Sequence, residues 1–306
     1  MQREHRKIDW PATFALLGAM FCWSVVPLFL RYLRDFIHDG WTTNGFRYPV
    51  GALLYLPALY IGIKSKSLHP RLWTAAFLPV GVNIVGQTLW AWAPYYIEPG
   101  LISFLARSMV VWAAIGSFIV FQDERALMRS PRFWAGMCTA LLGLSCIISF
   151  SDWLTSRNTA VGILMIIATG LCWAVYGITM RVNMKTAPVG LSFFVVSLYT
   201  SAACLVMMFA WGDPAQVPDL PPKAAAILAL SAVVGIAVAH GLYYIAIRSL
   251  GVAISTGAAM MAPFFTSAIS YFIYDERLAP MQWVGGIILF AGAIVMIWAQ
   301  QHLSRS

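Results

Sequence analysis

The two halves of the chain repeat the same pattern of residues. The run from Cys22-Trp23 to Arg31 reappears 150 residues later as Cys172-Trp173 to Arg181, and the Asp-Glu-Arg triplet at 123–125 reappears at 275–277. Each copy contains five long apolar stretches. Because five is an odd number, the second copy enters a bilayer from the opposite face and is inserted upside down. The repeat therefore predicts two inverted five-helix units, an architecture typical of transporters.

Long windows without any charge determine the fold class. Hydrophobic residues make up 60% of the 306 positions, charged residues only 10%, and the mean hydropathy is +0.75. Such values are outside the range of a domain with a solvated surface, and about 20 helical residues cross the hydrocarbon layer of roughly 30 Å. We predict an all-α polytopic membrane protein with ten transmembrane helices. The predicted spans lie near residues 12–33, 42–62, 72–95, 99–121, 131–150, 160–182, 189–211, 222–247, 252–274 and 280–299, which assigns 1–153 to the first repeat and 154–306 to the second.

Lysine and arginine are unevenly distributed over the predicted loops. With the N-terminus in the cytoplasm, 13 of the 20 face inward, 5 face outward and 2 fall within spans. Because cytoplasmic loops carry an excess of positive charge, we expect both termini in the cytoplasm and the chain in a bacterial inner membrane. The net charge of +8 is spread over alternate loops rather than one patch, so we predict no nucleic-acid partner.

Short loops and scattered cysteines exclude several functions. The longest connection, near 213–222, leaves no room for a soluble domain. All five cysteines fall within predicted spans without metal-ligand spacing, so we expect no disulfide, no zinc and no cofactor. A membrane enzyme would need a nucleophile or a metal constellation, and the sequence has no His-Glu-x-x-His, no Gly-x-Ser-x-Gly and no paired intramembrane Asp. We therefore expect a protein that is not an enzyme and that acts inside the bilayer.

Duplicated motifs indicate a family. On the first helix of each half, Gly18 and Cys22-Trp23 correspond to Gly170 and Cys172-Trp173, and on the last helix Trp134-x-Gly136 corresponds to Trp283-x-Gly285. A Glu-Arg pair closes the fourth helix of each half, and the second helix of the chain contains Phe46-Arg47-Tyr48. The chain resembles the drug/metabolite transporter superfamily, specifically its ten-helix EamA-type exporters. Its aromatic-rich interior is most similar to the bacterial amino-acid exporters, including those for aromatic amino acids. One departure is that Val111-Trp112 stands where the second half has Pro263-Phe264.

Polar and aromatic residues recur at helical spacing in the third and eighth spans. Asn83, Gln87 and Trp90 share one face of the third span. Lipid offers amides no hydrogen-bond partner, so these side chains line a pathway or bond to neighbouring helices. In the eighth span, His240 and Tyr244 lie four residues apart. His240 is either a proton carrier, since its ordinary pKa is near neutrality, or a structural hydrogen-bonding group.

Aromatic residues of the two first helices are repeat equivalents. Trp23 and Trp173 correspond to each other, and Tyr176 follows Trp173 on the same helical face. Together with Trp90 they are candidates for the wall of a central cavity, with ordinary packing as the alternative.

Two arginines fall inside predicted spans. Placing Arg107 in mid-span costs about 2.5 to 3.5 kcal/mol on insertion scales, so it must find water or a partner. Its planar guanidinium suits a substrate carboxylate, and the alternative is a permanent bond to backbone carbonyls or to Glu98. Arg47 lies nearer a span end, so we expect it to snorkel to the interface in a structural role.

The acidic residues complete the functional prediction. All twelve Asp and Glu lie in terminal regions, in loops or at span ends, which disfavours the exchange of lipophilic cations for protons on a buried Glu. We predict a secondary transporter that exports amino acids, including aromatic or apolar ones, by alternating access. Its small-molecule site should lie near the midplane. Efflux of toxic or drug-like molecules by the same architecture is the alternative, and the oligomeric state is not predicted.

Overall fold

The computed structural model describes residues 9–122, 129–152, 156–184, 187–250, 255 and 258–303, and all regular structure in these ranges is helical. The Asp-Glu-Arg triplet at 123–125 therefore lies outside the described residues. The first half contains α1 (Trp10–Leu33), α2 (Gly40–Leu53), α3 (Leu56–Lys64), α4 (Pro70–Ala75), α5 (Phe77–Trp92), α6 (Pro99–Leu105), α7 (Met109–Val120) and α8 (Pro131–Ser149). The second contains α9 (Arg157–Asn183), α10 (Val189–Trp211), α11 (Pro222–Ala232), α12 (Ala239–Leu250), α13 (Ala262–Tyr274) and α14 (Pro280–Leu303).

These helices form the predicted spans, several of which consist of two helices with a short break. Nine segments of the described chain are long and apolar enough to cross a membrane. The tenth span contains α13, and its predicted start at residue 252 lies outside the described residues. The prediction of an all-α polytopic membrane protein is confirmed.

Local sequence signals begin the helices at these positions. Asp39 accepts a hydrogen bond from Thr42 N at 2.6 Å at the start of α2, and Ser130 caps α8 in the same way. Such caps satisfy backbone N–H groups that lack a partner within the helix. Proline occupies the first turn of α8, where its missing N–H costs nothing and its fixed φ suits the helix.

The fifth span of each half packs against its counterpart in antiparallel orientation. A Cβ added to Gly136 would lie 2.8 Å from Gly292 O, and one added to Gly143 would lie 2.6 Å from Gly285 O. Moving forward along α8 thus means moving backward along α14. Glycine permits this close approach because it carries no side chain. Repeat-equivalent helices that run in opposite directions are what an inverted repeat requires.

The remaining interhelical contacts follow the same pseudo-symmetry. The first span (α1) packs against α12, where Gly18 meets Leu242, and against α13, where Ser24 Oγ donates to Ala262 O at 3.1 Å. The equivalent helix of the second half (α9) packs against α5 and against α6 and α7. Each first helix therefore crosses the other half and brings its aromatic residues to the interface between the repeats.

Candidate functional site

The fourth span is interrupted in its middle, at Arg107. Helix α6 ends at Leu105, a 3₁₀ turn covers Ala106–Ser108, and α7 begins at Met109. In the second half, a turn at Met260 and Met261 precedes α13. With an offset of 152 residues, the two interruptions fall at corresponding positions. Broken helices at equivalent places in inverted repeats commonly form the substrate site near the midplane, so the structure points to this pair of breaks.

Arg107 lines a small cavity between these breaks. The cavity measures about 10 Å³, room for roughly one water molecule. Its walls are otherwise apolar or aromatic and come from α6, from the break before α13, and from α13 and α14: Phe104, Met260, Pro263, Phe264, Gly286, Leu289 and Phe290. The rings of Phe104 and Phe264 meet edge to face with centroids 5.2 Å apart. The cavity is too small in this state for a ligand larger than water and must widen to admit one.

Arg107 does not pair with Glu98, the acidic partner that the sequence suggested. Its Nε is buried and has no acceptor among the described residues. Glu98, the proposed ion-pair partner, instead accepts hydrogen bonds from Arg31 Nε and Arg34 Nη2, each at 2.8 Å. The alternative of an Arg107–Glu98 ion pair is therefore wrong, because the end of α1 brings two arginines to this carboxylate.

A continuous series of aromatic rings from α1, α10 and α12 approaches Arg107. Tyr243 is close enough to interact electrostatically with Arg107, and its ring lies 4.8 Å from that of Trp23. Trp23 meets the edge of His240 at 5.7 Å, and His240 lies 5.6 Å from Phe193. Trp23 and His240 are thus brought together as predicted candidates. The backbone of Tyr244 belongs to α12, but its side chain lies outside the described part of the chain.

His240 follows a π-helical turn in the eighth span. Residues Val233–Val238 form this turn, and such turns occur frequently at functional sites because they leave carbonyl groups without their usual partners. The carbonyl of Ile236 accepts a hydrogen bond from the Tyr55 hydroxyl at 3.0 Å and lies 3.0 Å from His240 Nδ1. Because a carbonyl can only accept, the proton of a neutral His240 belongs on Nδ1, which leaves Nε2 as the acceptor.

The amide residues of the third span form a network between the halves. Asn83 Nδ2 donates to Thr200 Oγ1 at 3.1 Å, and Gln87 Nε2 lies 3.4 Å from Asn83 Oδ1. Asn44 Nδ2 donates to the backbone carbonyl of Gln87 at 2.8 Å. Trp90, from the same span, packs against Trp173 with centroids 5.0 Å apart. Tyr176 packs separately, with a hydrophobic cluster of residues from α4, α5 and α10.

Arg47 extends this network and does not snorkel. Only 3% of its surface is exposed. Its Nε donates to Ser231 Oγ at 2.9 Å, and its Nη1 lies 3.3 Å from Asn44 Oδ1. The expectation that Arg47 reaches the interface is wrong, because neutral acceptors from α2 and α11 hold it inside the protein. The structural role predicted for it agrees with these contacts.

Ionic groups gather where α1, α6 and α13 meet at one end of the bundle. Besides the Glu98 pairs, Arg31 lies over the ring of Tyr274, 5.1 Å from its centroid, and 3.1 Å from Asp35. Glu276, from the repeated Asp-Glu-Arg triplet, accepts hydrogen bonds from Gly100 N at 2.8 Å and Leu101 N at 3.2 Å. The carboxylate thus caps the N-terminus of α6, where a negative charge is favourable.

The environment of Glu276 changes its acidity. Burial raises the pKa of its carboxyl, and the negative charge of Glu98 acts in the same direction, while the two backbone N–H donors oppose them. The exposed Arg277 pairs instead with Asp275, at 3.1 Å. Among the described residues, no group of three or more potential metal ligands is found.

The structure also reveals site residues that the sequence did not single out. Phe104, Phe264 and Phe290 read as ordinary apolar residues of their helices, and only the break opposite Arg107 gives them a common cavity. Tyr243 stands beside the predicted Tyr244 and occupies the position next to Trp23. The Pro263-Phe264 pair that departs from the first half was the one sequence signal for this region.

Comparisons with known proteins agree with this architecture. A family model for the EamA-like transporter family matches residues 10–149 and again 160–298. An uncharacterized transporter of Bacillus subtilis (strain 168), YwfM, is 25% identical over 262 residues, which cover 83% of this chain and 82% of that protein. One crystal structure superposes with a TM-score of 0.65 over 95% of this chain and 98% of that chain at 14% identity, a likeness of fold alone. With both of its halves matched, the chain belongs to the EamA-like transporter family, whose members move small molecules across membranes.

Proposed function

We propose that this transporter exports amino acids, including aromatic and other apolar ones, from the cytoplasm by alternating access of its two halves. In this proposal the halves meet near residues 153 and 154, both termini face the cytoplasm, and the protein lies in a bacterial inner membrane. It performs transport and no covalent chemistry. The lining comprises the predicted residues Trp23, Asn83, Gln87, Trp90, Arg107, Trp173, Tyr176, His240 and Tyr244.

The observation that carries this proposal is the position of Arg107. A guanidinium whose buried Nε has no acceptor in the described part of the chain lines an aromatic cavity between two helix breaks. A carboxylate matches the planar donor pattern of arginine, and the phenylalanine rings suit an apolar or aromatic side chain. An amino acid supplies both groups in one small molecule. Opening and closing at the paired breaks would expose the bound solute to each side in turn.

The test is counterflow into vesicles that contain purified protein. Vesicles loaded with unlabelled phenylalanine should accumulate external labelled phenylalanine, and Arg107→Gln should reduce the initial rate at least about tenfold, the minimum expected for loss of a charge-assisted pair. Arg132→Gln is the matched control, because Arg132 is exposed and stacks on Trp298 far from the cavity. Absence of flux for phenylalanine, threonine and other amino acids would refute the substrate class. A screen of toxic or drug-like compounds in the same vesicles then tests the alternative substrate.

A further inference from the structure

The cavity beside Arg107 contains a charged recognition group for one end of an amino acid and, among its described lining residues, no charged side chain for the other. A carboxylate finds Arg107, but an α-ammonium group needs an acceptor or an anion. The remaining lining residues are phenylalanine, methionine, proline, glycine and leucine, which carry no charged side chain. All twelve acidic residues of the chain lie outside the centres of the spans. The nearest along the same span, Glu98, is nine residues away, about 14 Å along a helix, and is already paired with two arginines.

Buried donors near the break point to the same ligand chemistry. Ser108 is fully buried and stands at the N-terminus of α7, yet its Oγ has no partner among the described residues. The indole Nε1 atoms of Trp112, one turn further along α7, and of Trp173 on the adjoining α9 are likewise buried and have no acceptor within the ranges that the structure describes. Arg107 Nε and the two indole N–H groups can only donate, the Ser108 hydroxyl can both donate and accept, and α7 adds the positive end of its dipole. Unsatisfied donors in an apolar interior are costly. Ser108, Trp112 and Trp173 lie outside the lining of the cavity in this state, so a ligand rich in acceptors would remove that cost once the site widens to reach them.

Electrostatics reinforces the selection. An ammonium group held in the same small cavity would lie near the guanidinium, with the like charges separated by a medium of low dielectric constant. From this donor set and the absence of an acid we infer that the site is selective for an apolar carboxylate, so that arylalkanoate anions bind at least as well as the corresponding zwitterionic amino acids. This inference rests on the proposed location of the site. It deepens the proposed function by naming the part of the solute that the site recognises, a carboxylate on an aromatic or apolar body, which amino acids share with arylalkanoate anions.

The test compares three ligands of the same size and shape in binding to the purified full-length protein. Phenylalanine has both charges, 3-phenylpropionate lacks the ammonium group, and phenethylamine lacks the carboxylate. Displacement of labelled 3-phenylpropionate in detergent measures binding without requiring transport. We expect 3-phenylpropionate to bind as tightly as phenylalanine or more tightly, and phenethylamine to bind at least about tenfold more weakly.

Variants connect this preference to Arg107. A fourth ligand, the neutral amide of 3-phenylpropionate, has the same shape without the negative charge. In Arg107→Gln, the preference for 3-phenylpropionate over this amide should disappear. Arg107→Lys keeps the positive charge and should retain part of that preference. Arg132→Gln should behave as the wild type. Three results overturn the inference: phenethylamine binding as well as the acid, phenylalanine binding more than about tenfold tighter than 3-phenylpropionate, or no saturable binding of the acid to the wild-type protein.

The two proposals fail in different ways. Counterflow of phenylalanine together with tight binding of phenethylamine would leave amino-acid export standing and remove the anion selectivity. Binding of 3-phenylpropionate without any flux of amino acids would refute amino-acid export and leave the anion selectivity standing.

Discussion

The contact between α8 and α14 gives a quantitative prediction, because its glycines touch backbone rather than side chains. A Cβ added to Gly143 would lie 2.3 Å from Leu289 N and 2.6 Å from Gly285 O. Contacts of a real Cβ with such atoms lie at 3.4 Å or more in ordinary packing. In Gly143→Ala the two helices must therefore separate by about 1 Å, and neither backbone can rotate away as a side chain can.

Two opposing terms set the size of the effect. Overpacking of this kind costs about 1 to 3 kcal/mol, whereas replacing glycine by alanine inside a helix stabilises by about 1 kcal/mol. The second term is isolated by Gly177→Ala in α9, where nothing lies within 4 Å of the added Cβ. We expect Gly143→Ala to lower the free energy of unfolding by about 1 to 3 kcal/mol relative to Gly177→Ala.

Thermal unfolding of the purified protein in detergent measures this difference. The readout is the amount of protein that remains monodisperse after heating. Gly143→Ala should lose its folded form several degrees below Gly177→Ala, and Gly292→Ala, whose Cβ would lie 2.3 Å from Ala140 N, should behave like Gly143→Ala. Equal stability of Gly143→Ala and Gly177→Ala would refute the close antiparallel contact and with it the packing argument for the inverted repeat.

Three further predictions concern charge and hydrogen bonding. The pKa of Glu276 is raised in the folded protein, which therefore binds this proton more tightly than the unfolded chain does. The melting temperature should accordingly rise as the pH falls from that raised pKa towards the ordinary value of 4.5. This dependence of the melting temperature on pH should be absent from Glu276→Gln. Arg47→Met should melt at the same temperature as the wild type or above it, since a buried cation held by neutral partners is costly. A large decrease in the melting temperature would mean that Arg47 has an anionic partner. In Tyr55→Phe the free energy of unfolding should fall by about 0.5 to 1.5 kcal/mol, because the Ile236 carbonyl loses the hydroxyl donor and keeps the contact with His240 Nδ1. An unchanged melting temperature would contradict the hydrogen bond from Tyr55 to Ile236.

The number and length of the helices could be predicted from the sequence because the bilayer imposes both. A charge-free window of the required length has few alternatives to a helix, and α1 begins at Trp10 and ends at Leu33 close to the predicted 12–33. Two breaks within the spans were not predictable. The turn at Ala106–Ser108 contains neither proline nor glycine, and the π-helical turn at Val233–Val238 has no proline. These breaks depend on packing between helices that are distant in sequence.

The environment of the charged residues was equally dependent on tertiary packing. Arg107 was singled out because any mid-span arginine needs a partner, but Glu98 was the wrong candidate for that partner. Its carboxylate faces the end of α1, 64 to 67 residues away in sequence. Arg47 is buried because Ser231, 184 residues away, supplies an acceptor. Insertion costs are local properties of a sequence, whereas the identity of the partner is a property of the fold.

The ionic cluster makes the two ends of the repeat unequal. The cation–π contact of Arg31 with Tyr274 has a counterpart at the other end, where the repeat-equivalent Arg181 lies 4.0 Å from the ring centroid of Phe121, one position away from the repeat equivalent of Tyr274. The Glu98 ion pairs have none, since the repeat positions of Arg34 and Glu98 are Met184 and Leu250.

Because these pairs join the end of α1 to the start of α6, they favour the state in which this end is closed. Each partly exposed pair contributes about 1 kcal/mol at most, enough to shift a balanced equilibrium severalfold. Glu98→Gln should therefore speed the labelling, by an impermeant thiol reagent, of a cysteine introduced as Ser103→Cys in a cysteine-free background. Asp35→Asn, on the exposed rim of the same cluster, should leave the rate nearly unchanged. If both variants label at the same rate, the ion pairs of Glu98 do not hold this end closed, and the resting state must be determined by packing alone.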